Sequence, residues 1–138
     1  MSEILARLLA IYHFAKDIHY SAKGKDFYSI HLLMDRVADD IHDQIDSINE
    51  ICYLGKDHVA PSSKDVLEKA YQNMPEFWSD TRENLSELSG IIGGTIENIL
   101  EMIENGTDNM TSAEASLLDD IAKTLMLKKG LILRTLKE

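Results

Sequence analysis

One cysteine, two prolines and one tryptophan in 138 residues leave several architectures without their raw material. A single thiol, Cys52, excludes an internal disulfide and any zinc site built on two or more thiolates. A reducing compartment, the cytoplasm, is therefore the expectation. Nowhere do about 18 apolar residues follow one another, so no membrane span is expected. The opening MSEILARLLAIYHF carries Glu3 and Arg7 inside its apolar pattern and lacks a basic start, so no signal peptide is expected. Basic charge is scarce as well: 14 Lys and Arg face 24 Asp and Glu, a net charge of −10. That balance opposes contact with a polyanion, and no nucleic-acid partner is expected. The charge is uneven, with +1 on residues 1–26 and −11 on the remainder, which puts the acidity where divalent cations could use it.

What is present is apolar periodicity. At 44% hydrophobic residues and a length near that of an average domain, residues 1–138 are expected to form one domain with a real core. Pro61 and Pro75 both lie in mid-chain, so long helices can run on either side of them. Ile4, Leu8, Ile11, Ala15 and Ile18 repeat at three- and four-residue steps along a first helix that should end near Gly24. Ile30, Met34, Val37, Ile41, Ile45, Ile48 and Cys52 continue a second stripe to Gly55 without interruption. Leu85, Leu88, Ile92, Ile96, Ile99 and Ile103 mark a third helix, which Asn105-Gly106 should close. Thr111 and Glu114 read as a capping box before Leu118, Ile121, Ala122, Leu125, Ile132 and Leu136 of the fourth. Between the second and third, SSKDVLEKAYQ reads as a short helix inside a long crossover. No strand signal appears. The fold class is all-α, a ferritin-like four-helix bundle whose long crossover between the second and third helices contains a short helix. Gly90, Gly93 and Gly94 in the third helix predict close backbone approach by a neighbouring helix, and Trp78 a packing anchor at its start.

The chemistry concentrates on the second helix. With Ile30 as origin and about 100° per residue, its apolar stripe spans about −20° to 60°, whereas His31, Asp35, Asp46 and Glu50 fall between about 100° and 200°. A charged outer face is ordinarily just solvated. Here, however, the face offers imidazole and carboxylate donors of the kind that hold a metal. The His31/Asp35 and Asp46/Glu50 pairs centre about 22 Å apart on a straight helix, so one chain cannot bring both to one ion. An antiparallel copy of the helix, related by a two-fold axis near positions 40 and 41, would lay one pair opposite the other in an isologous dimer with two equivalent sites. His19, at the end of the first helix, joins the set if the SAKGKD turn brings that end beside His31.

The stretch IHYSAKGKDFYSIHLLMDRVADDIHDQIDSINEICYLGKD, residues 18–57, resembles the signature of the Dps mini-ferritins. His19, His31, Asp35, Asp46 and Glu50 stand at that family's ferroxidase-ligand spacing without a gap. The likeness continues more loosely through LGKDHVAPSSKDVLEKA and into the final helix ending MLKKGLILRTL. Tyr20 stands where the family usually has tryptophan, and the last helix lacks the family's common histidine and tryptophan. The resemblance implies an iron site at a two-fold interface, the histidines of one chain facing the Asp and Glu of its partner, in a hollow twelve-subunit shell. It also implies a cation pore near the start of the last helix, where this sequence offers Asp108, Glu114, Asp119 and Asp120. The basic tail of the DNA-binding members has no counterpart, so that activity is not implied.

The resulting expectation is a ferroxidase and iron-storage protein that oxidises Fe(II) with peroxide or dioxygen and keeps the product as ferric mineral. Its metal set is His19, His31, Asp35, Asp46 and Glu50. Imidazole and carboxylate also suit zinc or manganese. The competing reading is a non-catalytic helical dimerisation or metal-binding protein that uses the same face for salt bridges. His42 falls near the expected two-fold axis and reads as interface packing, while His13 and His58 read as surface residues.

Overall fold

Nearly every residue of the four apolar stripes is turned inward in the computed structural model, which describes residues 1–106 and 109–137. The elements are α1 (Ser2–Ser21), α2 (Phe27–Ala38), α3 (Ile41–Ile48), α4 (Ser63–Asn73), α5 (Thr81–Asn105) and α6 (Ser112–Leu136). A π-helical turn, Asn49–Tyr53, and a 3₁₀ turn, Leu54–Lys56, extend α3. α1 packs against α2, α3, α4 and α5, and α5 runs along α6, so the α2–α3 unit, α1, α5 and α6 form the bundle, with α4 in the crossover. Phe14, Leu8 and Ile11 of α1 meet Met34 and Ile41 of the second unit and Leu88 and Ile92 of α5 in one core, all fully buried. Each such side chain contributes about 2 kcal/mol of burial, which outweighs any single cap. Among the described residues no helix is long and apolar enough to cross a membrane.

The ends follow local chemistry. Ser62 caps α4 by accepting from the Asp65 N–H at 3.2 Å, and Asp80 caps α5 by accepting from the Arg82 N–H at 2.9 Å. Gly106 closes α5 in the left-handed conformation, φ 60°, as Asn105-Gly106 predicts. Thr111 and Glu114 make the full capping box of α6.

Three sequence expectations need correction. The second helix is not continuous: α2 stops at Ala38, Asp40 adopts φ 71°, and α3 restarts at Ile41. Periodicity could not reveal this, because Val37 and Ile41 keep a four-residue step across the break. A left-handed Asp is strained by about 1 kcal/mol, less than a bulkier residue would be. The glycines of α5 admit side chains, not a backbone: a Cβ at Gly93 would meet Lys129 Nζ at 2.9 Å and one at Gly94 would meet an Arg7 guanidinium nitrogen at 3.2 Å, while Gly90 faces open space. Trp78 is anchored through its main chain. Buried Asn84 accepts from the Trp78 N–H at 2.7 Å and donates to its carbonyl at 2.8 Å, leaving the ring half-exposed. The inward contact belongs to Phe77, edge-on to Phe14 at 5.7 Å between centroids.

Candidate metal centre

The SAKGKD turn carries the chain from α1 into α2 through Gly24, φ 98°, and sets the end of α1 beside the start of α2. His19 and His31 then stack, centroids 3.7 Å apart and 16° from parallel. Each ring bonds the other residue's main chain: His19 Nδ1 lies 2.8 Å from the His31 carbonyl, and His31 Nδ1 lies 2.9 Å from the His19 carbonyl. A carbonyl only accepts, so both Nδ1 atoms carry the proton and both lone pairs of the neutral rings sit on Nε2. A carbonyl that accepts the Nδ1 proton and so fixes the tautomer is the usual support of a metal-binding imidazole.

Asp35 lies one turn beyond His31. Lys16, one turn before His19 on α1, donates from Nζ to Asp35 Oδ1 at 3.1 Å. That hydrogen bond, with the charge of Lys16 and smaller contributions from His19 and His31, holds the Asp35 carboxyl below the usual carboxylate range. The same bond raises the Lys16 ammonium. Lys16 was legible in principle, since a cation three residues before His19 shares its helix face.

Asp46 on α3 and Glu50 on the π-helical turn form the second group. The Asp46 carboxylate, which a protonated Glu50 would donate to and whose like charge opposes ionisation, pushes the Glu50 carboxyl above its ordinary value. Two carboxylates whose like charges oppose each other's ionisation are donors that a divalent cation can neutralise. Among the described residues, no three His, Cys, Asp or Glu side chains of the one chain converge to hold a metal. His31 and Asp35 of α2, with His19 of α1 beside them, are thus separated from Asp46 of α3 and Glu50 of the π-helical turn by the break at Asp39–Asp40.

The remaining histidines and acids fall elsewhere. His42 packs its ring on Tyr12 at 4.2 Å, and His13 meets the same tyrosine edge-on at 5.2 Å, a partner the sequence did not suggest. Of the acids near the start of α6, Glu114 is turned inward, 3% exposed, and binds Lys56 at 3.2 Å. It is committed to the helix cap and cannot line a pore as it stands. Asp119 and Asp120 stay at the surface and share Lys123 at 3.3 and 3.8 Å. Asp108 lies outside the described residues.

No protein-family model matches the chain, and no curated protein matches it by sequence. Solved structures do match in shape. An archaeal Dps homologue from Halobacterium salinarum superposes with a TM-score of 0.84 at 21% identity, covering 99% of this chain and 77% of that one. Dps from Thermosynechococcus elongatus gives 0.88 at 18% identity, covering 99% and 87%. The fold is that of the Dps proteins. A third Dps, from Vibrio cholerae, described as a member of a broad superfamily of ferritin-like diiron-carboxylate proteins, gives 0.83 at 18% identity, covering 99% and 86%. This chain carries the crossover helix α4 and, in place of one continuous second helix, α2 and α3 on either side of a break.

Proposed function

We propose that residues 1–138 act as a single Dps-type domain that binds Fe(II) at a site shared by two chains, oxidises it with peroxide or dioxygen, and stores the ferric product. The proposed ligands are His19, His31 and Asp35 of one chain with Asp46 and Glu50 of its partner. The observation that carries the reading is the reciprocal Nδ1–H to carbonyl pairing of His19 and His31, which leaves two Nε2 donors beside a carboxylate. Iron is the substrate. Carboxylates favour the more highly charged ferric product, and oxidation of two Fe(II) by one peroxide consumes two protons and yields two Fe(III) and two waters. Zinc and manganese would occupy the same donors without that turnover.

The surface supports pairing with a second copy. Tyr20, Tyr28 and Leu32 are exposed around the histidines, and Ile51 and Leu54 are exposed beyond Glu50. An antiparallel two-fold pairing through the α2–α3 unit buries one apolar group against the other while it closes both sites. The proposed assembly is a homo-oligomer built from such dimers, a dodecameric shell, in the cytoplasm, without nucleic acid. The Lys16–Asp35 ion pair favours the alternative in which this face serves only salt bridges. Anaerobic Fe(II) titration followed by oxidant separates the two readings. Saturable binding and ferric absorbance on oxidant addition are expected, with affinity falling as pH drops through the raised titration of Glu50. Absence of saturable binding at neutral pH would refute the iron reading.

Lys16 competes with a metal for Asp35. Lys16→Met is expected to tighten Fe(II) binding severalfold, measured anaerobically at neutral pH, because the ion no longer displaces an ammonium from the carboxylate. Weaker binding in that variant would show that Lys16 organises the site and does not block it.

A further inference from the structure

Two side chains of α6, one turn apart, reach the break in the second helix. Lys128 is 4% exposed, and its Nζ donates to the Asp39 carbonyl at 2.8 Å. Thr124 accepts a hydrogen bond from Gln44 Nε2 at 2.9 Å and donates its own hydroxyl proton to the Ile121 carbonyl at 2.9 Å. Asp39 caps α2, and the Gln44 N–H closes the first turn of α3 on the Asp40 carbonyl at 2.9 Å. α6 thus grips the chain on both sides of the left-handed Asp40. Burial pushes the Lys128 ammonium below the ordinary lysine range, against the attraction of Asp40 and Asp39. A lysine without a task would carry its head into water. Beside this grip the surface opens into a groove of about 890 Å³ bounded by Tyr12, Lys16, Asp35, Asp39, His42 and Lys128, so side-chain packing does not fill the space at the break.

We propose that Lys128, assisted by Thr124, is a positioning residue for the shared metal site: it fixes the angle between α2 and α3, and so the register in which the His31/Asp35 half of one chain meets the Asp46/Glu50 half of its partner. The inference rests on the two-chain reading of the site. Its leverage is geometric. Asp46 lies about 9 Å along α3 from Asp40, so a hinge error of about 6° moves it by about 1 Å. A displacement of that size is enough to degrade a coordination site.

The test uses Co(II) as a spectroscopic probe of the intact assembly, with assembly size and Tm measured in parallel. Lys128→Met, which keeps the stem and removes the donor, is expected to weaken Co(II) binding about tenfold and to change its visible spectrum, as a ligand displaced by about 1 Å would. Lys128→Arg should recover most of both, since a guanidinium can donate to the same carbonyl. Ile132→Val, buried on the same helix, should lower Tm and leave Co(II) affinity and spectrum unchanged. An assembled Lys128→Met protein with wild-type affinity and spectrum, or an Arg variant no better than Met, overturns the proposal. Should Lys128→Met not assemble, Thr124→Val decides by the same two readings. Wild-type protein that binds no Co(II) removes the shared-site reading and this inference with it, whereas binding by wild type and Lys128→Met alike removes only the role of Lys128.

Discussion

His31→Ala and Glu50→Ala are each expected to lose Fe(II) oxidation by about 10²-fold or more, since removing an outer-shell partner alone costs 10- to 100-fold at comparable sites. Mixing the two proteins under conditions of subunit exchange is expected to restore about one quarter of wild-type activity. The figure follows from two-fold symmetry: random exchange makes half of the dimers mixed, and each mixed dimer has one site with both lesions and one with neither. The intact site takes His31 from the Glu50→Ala chain and Glu50 from the His31→Ala chain. Glu50 is exposed and His31 half-buried outside the core, so neither substitution opens it. Initial rates of ferric absorbance, with mixed dimers counted by mass, check the result. Confirmed mixed dimers that remain inactive would refute the shared site, and an active parent would remove its residue from the ligand set.

The core was legible because burial follows helical periodicity. Ile4 to Ile18, Leu85 to Ile99 and Leu118 to Ile132 all point inward where a period of 3.6 residues puts them. The ends were legible where a residue type has one dominant local use: Gly106 past α5 and Thr111 with Glu114 before α6. The break at Asp39–Asp40 was not, because its cause is tertiary. The ammonium that satisfies the Asp39 carbonyl comes from Lys128, 89 residues later in the chain. The same limit applies to the candidate site. Helical spacing and the family resemblance together collected His31, Asp35, Asp46 and Glu50 onto one face, and the turn after α1 suggested His19. The proton positions of the two imidazoles depend on main-chain carbonyls across the α1–α2 turn, and Lys16 meets Asp35 only once that turn has folded. Glu114 shows the reverse error. The sequence offered it both as the capping-box partner of Thr111 and among the pore acids, and its burial against Lys56 supports the first.

Glu114→Ala is accordingly expected to act on stability and not on iron entry. The side chain accepts the Thr111 N–H at 3.1 Å, completing the capping box, and binds Lys56 at 3.2 Å from a site 3% exposed. The Thr111 hydroxyl keeps its bond to the backbone N–H of residue 114, and losing the reciprocal bond from the Thr111 N–H costs about 1 kcal/mol. Stranding Lys56, whose side chain is 26% exposed and partly hydrated, costs about 1 kcal/mol more. A total of about 2 kcal/mol corresponds to a fall of about 8 °C in Tm for a domain of this size. Glu114→Gln keeps an acceptor for Thr111 and should lose about half as much. The pH dependence has a definite sign. Burial raises the Glu114 carboxyl, but the Thr111 N–H and Lys56 outweigh it and hold the folded value below the ordinary one. The carboxylate's contribution is therefore present above the unfolded value and lost as pH falls through the folded one, so the gap between wild type and Glu114→Gln should close in acid. Iron uptake at low Fe(II), measured below the melting range in an assembly of confirmed size, should match wild type in both variants. Slowed uptake with an unchanged Tm would return Glu114 to the entry route, because a pore carboxylate acts through the field it presents to the incoming cation and a cap acts through the helix it holds.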